Sequence, residues 1–291
     1  MSATTDHVQD HKIIPRNIDF ELDEDVTYDW HSDCPGISNM WNGLSLLFPE
    51  GELFFVKSAQ NYLSIVKDPV FKKELKGFMT QEMIHTREHV VYNEMLKRHN
   101  IDTDRVNNIL KWWAVTGHKY LPKSIQLAIT VSLEHWTATL AQAVLDHPQI
   151  LEDAHPKMRA VWNWHAIEET EHKAVCFDLL KEAVPNPVAF YLIANSTHII
   201  AAPIFLLSAH AVYLGLMART GNLTNGKAHW NMLKFNYGRK HGLLRRAIGH
   251  WFGFMKPGFH PWDHDNRHHI KAWDDAAAGL NEIPEHLVAA E

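Results

Sequence analysis

Acidic side chains stand on the apolar stripes of four helices encoded by this sequence, and no other feature constrains the fold as tightly. A buried carboxylate is costly unless it is paired or bound to a cation. QEMIH at 81–85 sets Glu82 three residues before His85, and EETEH at 168–172 sets Glu169 three before His172. Residues three apart share a helix face, so each pair can reach one ion or two adjacent ions. Glu52 and Glu134 are single carboxylates on two further apolar stripes. One Glu from each of two helices, with Glu-x-x-His from each of the other two, is the donor set of a dinuclear carboxylate site inside a bundle. A lone Glu-x-x-His arises often by chance; the ordered set on four helices is specific.

Helix signals frame these residues. Pro49 reads as the start of a helix over about 49–66, and Asp68-Pro69 as the start of a second over about 69–99. A short helix over about 103–116, ending near Gly117, fills the next connection. Pro122 opens a third long helix to about 146, and Pro156 a fourth to about 183. Strand signals are scarce. The expected class is all-α, four long helices with the longest connection between the second and third, which is the connectivity of a ferritin-like bundle. Residues 1–182 form that bundle and 183–291 a helical extension packed on it.

Further donors surround the core set. His165 lies four residues before Glu169 on the same stripe, a candidate third imidazole. His89, one turn beyond His85, is either a ligand or an outer partner. Glu168 rivals Glu169 as ligand because it stands four before His172; Glu171 reads as solvated. Asp178 and Arg87 are candidate outer partners. His135 faces away from Glu134's stripe. Cys176 and the tryptophans Trp112, Trp113, Trp136, Trp162 and Trp164 read as core, and His260, His264, His268 and His269 as surface loop. No thiolate joins the set, so iron, manganese or zinc is expected, with two iron ions first.

Charge divides the chain. Residues 183–262 contain no acid and eight bases, whereas the whole chain carries a net charge of −6. The acidic balance argues against nucleic-acid binding. Two cysteines make no disulfide framework, and the polar N-terminus shows no secretory signal, so a cytoplasmic setting is expected. Ala183 to Ala218 is uncharged and long enough to span a bilayer. Asn195, Ser196, His198, Pro203 and His210 oppose a span, and two buried helices broken or kinked at Pro203 fit as well. The bases and aromatics of 227–262 suit peripheral contact with an anionic inner leaflet.

The segments FPEGELFF, QEMIHTREHVVYN, SLEHWTATL and WHAIEETEHKAVCFDLL resemble those of a bacterial family described as predicted metal-dependent hydrolases. The resemblance runs from about Arg16 into the 270s, most of the chain. The His-x-x-x-Glu-x-x-His run is similar to that of the di-iron arylamine N-oxygenases of the ferritin-like superfamily. Carried over, it implies Glu52, Glu82, His85, Glu134, His165, Glu169 and His172 as ligands. Substrates do not carry over; the ligand set together with the long apolar section from 183 leads to the expectation of an oxygenase or oxidase that activates O2 against a small apolar or lipid-like substrate, served by an electron-donor protein. The alternative is a metal-dependent hydrolase with Glu168 or His89 as base. A third reading is non-enzymatic iron handling. Free helix faces make a homodimer an expectation.

Overall fold

The computed structural model describes residues 12–22 and 25–279. The N-terminal stretch read as leaderless and the end of the acidic tail lie in part outside them. The described residues form an all-α bundle: α1 (Pro35–Gln60), α2 (Pro69–Arg98), α3 (Thr103–Tyr120), α4 (Lys123–Asp146), α5 (Pro156–His172), α6 (Val175–Ala183), α7 (Pro187–Arg219), α8 (Gly226–Tyr237), α9 (Leu243–Phe254) and α10 (Arg267–Gly279). Antiparallel pairs α1/α2 and α4/α5 form the centre; α3 lies on α1, α7 across α1 and α4, α8 on α1, α9 on α4 and α10 on α5.

Local chemistry sets most helix starts. Pro35, Pro69, Pro156 and Pro187 occupy first turns, where a missing N–H costs nothing. Asp68, Asp102, Asn186 and Asn225 cap backbone N–H groups of their helices with side-chain oxygens. Gly36 is required where α1 meets α8, because a Cβ there would sit 2.1 Å from the Ala228 carbonyl oxygen.

Several expectations are corrected. The first helix begins at Pro35, and Pro49 sits inside it. An interior proline removes the N–H that would bond the carbonyl four residues back. That carbonyl belongs to Ser45, and Asn93 Nδ2 of α2 donates to it at 3.2 Å, so the helix runs on. The short helix after α2 extends to Tyr120, past Gly117. The fourth helix stops at His172 and restarts at Val175, with no proline or glycine to mark the break. Residues 187–219 form one helix that continues through Pro203. Trp112 and Trp113 are 59% and 62% exposed on α3, because only one side of α3 packs on α1. Trp136, Trp162, Trp164 and Cys176 are buried as expected.

The segment before α1 is partly buried. Phe20, Leu22, Val26 and Trp30 are buried. Residues 13–22 run as a strap against α2 and α5, held by Gln81 Nε2 on the Ile14 carbonyl, Arg98 on the Leu22 carbonyl and Arg16 on α5.

Candidate metal centre

The mid-sections of α1, α2 and α4 and the C-terminal half of α5 bring Glu52, Glu82, His85, Glu134, His165, Glu169 and His172 together, all buried. His172 Nε2 lies 3.2 Å from Glu82, 3.4 Å from Glu134 and 3.5 Å from Glu169. His165 Nε2 and His85 Nδ1 lie 3.2 and 3.7 Å from the other Glu169 oxygen. Two groups of donor atoms result, each within 4.8 Å of one another: Glu82, Glu169 and His172, and His85, His165 and Glu169. A third such group joins Glu52 and Glu82 to His85, and a fourth joins Glu52 to His89 and His165. Glu82 and Glu169 belong to both ends. One end is rich in imidazole, the other in carboxylate.

Hydrogen bonding leaves the inner atoms without partners. Both oxygens of Glu52, Glu82 and Glu134, one oxygen of Glu169, His85 Nδ1 and His172 Nε2 are buried with no hydrogen-bond partner. Such orphans are rare in folded proteins. Here they converge on one spot, and hard or borderline cations fit oxygen and imidazole donors.

The outer atoms are fully engaged, and the hydrogen-bond network assigns each tautomer. His85 Nε2 donates to Glu168 Oε2 at 3.1 Å, which leaves Nδ1 for a cation. Glu168 Oε1 accepts from Trp164 Nε1 at 3.1 Å and from the Arg16 backbone N–H at 2.9 Å. His172 Nδ1 donates to Gln81 Oε1 at 3.0 Å. Gln81 Nε2 in turn donates to Glu171 Oε2 at 2.7 Å, and Arg16 Nη2 donates to Glu171 Oε1 at 2.6 Å. Two imidazoles are thus oriented through relays that end on one guanidinium. The third relay is neutral. Asn93 Oδ1 accepts from Ser45 Oγ at 3.0 Å, so Ser45 must accept from His89 Nδ1, also 3.0 Å away. His89 Nε2 then carries a lone pair and accepts from His165 Nδ1 at 3.3 Å. His165 Nε2 is left facing Glu169. The carbonyl freed by Pro49 anchors this relay, because it fixes the Asn93 amide.

Aromatic rings seal the centre. Phe48 stacks on His165 at 5.3 Å between centroids, Phe78 meets His172 edge-on at 5.0 Å, and Trp164 meets His85 edge-on at 4.9 Å.

Electrostatics follow from this burial. Burial, then neighbouring carboxylates, pushes Glu82 well above the usual carboxylate range; Glu52 moves the same way, burial first. Burial raises Glu134 to about 8 despite His172. Burial also opposes ionisation of Glu169, but His172 and His165 outweigh it and hold that carboxyl well below its usual range. Burial lowers His85 and His89. Protons therefore stand where cations would, and cation uptake must release them. A stability prediction follows for metal-free protein. Glu134 contributes stability that is complete below its ordinary value of 4.5 and lost as pH rises through about 8. Metal-free protein should melt at lower temperature at pH 9 than at pH 7, and the slope should flatten once the centre is loaded. Thermal melts with and without divalent metal across this range check it; equal slopes would refute it.

The remaining sequence candidates fall elsewhere. Glu171 is buried on the strap side, not solvated. Glu168 contacts His85 rather than His172. Asp178 pairs with His260 at 3.2 Å, and Arg87 pairs with Glu88, so neither supports the centre. His260 is buried, and His268 and His269 stand on α10 rather than in a loop. His135 faces away, donating to the His250 carbonyl at 3.0 Å. Arg16, Gln81, Ser45 and Asn93 escaped sequence reading. Only Pro49 signalled any of them, through the carbonyl it leaves free.

No curated protein and no solved structure matches the chain. The model of one family, described as predicted metal-dependent hydrolase, matches residues 14–265. That span takes in the strap, all seven inner donors and the three relays, and with it this chain belongs to the predicted metal-dependent hydrolase family.

Proposed function

We propose that the chain is a hydrolase dependent on a dinuclear metal centre. The observation that carries this is the set of orphaned buried oxygens and imidazole nitrogens converging from four helices. Family membership supports hydrolysis over other metal chemistry. Glu82 and Glu169, which face both ends, would hold the two cations together with Glu52, Glu134, His85, His165 and His172. Two divalent cations held there would supply an activated water and polarise a carbonyl or phosphoryl oxygen. The chain's own residues orient the imidazoles, exclude bulk water with Phe48, Phe78 and Trp164, and spread the cations' charge over four carboxylates.

Glu168 takes His85 Nε2 on one oxygen and Trp164 and Arg16 on the other, and His89 lies between Ser45 and His165, so both are engaged in orienting inner imidazoles. We assign them as positioning residues rather than the general base. An apolar cleft between α1, α4 and α7, lined by Leu44, Leu140, Phe205 and Leu206, suits a small apolar substrate.

One observation favours a second reading. Every inner donor sits on a helix in a carboxylate-rich interior, and the order Glu, Glu-x-x-His, Glu, His-x-x-x-Glu-x-x-His is similar to that of ferritin-like di-iron oxygenases. Under it, the same residues would hold two iron ions, which would supply O2 chemistry toward an apolar substrate with electrons from a donor protein.

Metal analysis of untagged protein, followed by two assays, separates the readings. The hydrolase reading expects about two metals per chain and turnover of aryl esters or phosphate esters by zinc- or manganese-loaded protein, abolished by chelation. Loss of all hydrolysis, with O2 consumption by ferrous protein well above that of free iron, would replace it with the second reading. One metal or none sinks both.

A further inference from the structure

The outer side of α7 has no role in the metal centre. Its inner side is committed to the bundle: Ala194, His198, Ala202, Tyr213 and Met217 are buried, and His198 Nδ1 bonds Ser132 of α4 at 2.9 Å. The outer side carries Val188, Leu192, Ile200, Ile204, Leu207 and Leu214, of which Leu192 and Ile200 are each 61% exposed and Leu207 is 70% exposed. Their spacings of three, four, seven and eight residues keep them on one side, roughly 40 Å long at helical rise. A helix apolar on both sides requires a second apolar neighbour.

A second helix extends the face. The α9 backbone is tied to α7 through Tyr191 Oη on the Met255 carbonyl at 2.9 Å and His198 Nε2 on the Trp251 carbonyl at 3.3 Å. It adds exposed Ile248 and Phe252, and on the same helical side exposed Arg245, with Lys256 just beyond its end. Across 183–262 there are eight bases and no acid.

Charge chooses between the occupants of this face. A second copy would set an acid-free, basic section against itself across a two-fold axis, and like charges there repel. An anionic lipid surface matches both the apolar stripe and the basic rim. A transmembrane path is closed to α7, because its inner side is part of the packing around α1 and α4, which carry Glu52 and Glu134. We propose that α7 and α9 dock this protein on an anionic lipid surface, α7 lying in the membrane plane with its outer stripe among the acyl chains. The proposal is independent of the reaction at the metal centre.

Flotation of the full, metal-loaded chain with phosphatidylcholine vesicles, with and without phosphatidylglycerol, tests it. Binding is expected to the anionic vesicles at low salt, weakening as salt rises. Combining Leu192→Glu, Ile200→Glu and Leu207→Glu should abolish it. Arg245→Gln and Lys256→Gln should each lower partitioning about fivefold. Circular dichroism and metal content, unchanged in the variants, show that the fold is intact. Absence of wild-type binding to anionic vesicles at low salt overturns the proposal. So does undiminished binding by the folded triple variant. A dimer in sedimentation velocity that the triple variant dissociates, with no vesicle binding, would assign the face to a second copy.

Discussion

Replacing Glu169 with alanine is expected to empty both ends of the centre. Glu169 alone has one oxygen beside His165 and His85 and the other beside His172. Its removal takes a donor from both cation positions and leaves His172 facing Glu82 and Glu134 only. Loss of an outer partner at a metal site typically costs 10–100-fold in affinity; loss of this shared inner donor should exceed about 100-fold. Metal content by mass spectrometry should fall from about two per chain to below one. Hydrolysis or O2 reactivity should disappear with it. Retention of both metals in the alanine variant would show that Glu169 is not shared between the two ends.

Arg16→Met should have the largest effect on stability. Arg16 supplies the guanidinium for two carboxylates whose side chains are wholly buried, at 3.4 Å from Glu168 and 2.6 Å from Glu171. Breaking a buried pair by removing one partner costs about 3–5 kcal/mol, because the other charge stays behind uncompensated. Here two charges stay behind, while the Arg16 and Ile14 backbone N–H groups still reach them. The same change loosens the relays that orient His85 and His172, so metal affinity should also fall by about 10–100-fold. Lysine is no substitute, since a point charge cannot serve two carboxylates with a planar fork. Denaturant melts of the metal-free form isolate the stability effect, and competition with a chelator isolates the affinity effect. A variant that melts earlier yet holds metal with wild-type affinity would make Arg16 a structural clamp only. Glu171→Ala removes the partner of Arg16 and Gln81, so it too should destabilise, against the neutrality expected of a solvated glutamate.

The legible part of this molecule was local. Asp68-Pro69, Pro122 and Pro156 announced the starts of α2, α4 and α5 within a few residues. The inner donors were legible because spacing of three and four places side chains on one helix face, and seven of them broke the apolar pattern together. What stayed hidden depends on contacts between distant segments. Pro49 looked like a helix start because nothing near it reveals that Asn93 satisfies the carbonyl it orphans. Glu171 looked solvated because its cation stands 155 residues earlier. The break after His172 has no breaker residue. Trp112 and Trp113 looked like core because aromatic content alone does not say which side of a helix finds a partner.

The strap also sets a problem of timing. Arg16 precedes its partners on α5 by 152 and 155 residues. Contacts of such separation form slowly, because chain closure must precede any reward from the contact. In the interval, helices α1 to α5 must collapse with two buried carboxylates still lacking their guanidinium. The chamber is therefore fastened from outside by a segment that precedes every one of its helices, and its maturation belongs at the end of the folding sequence rather than at the collapse of the four central helices.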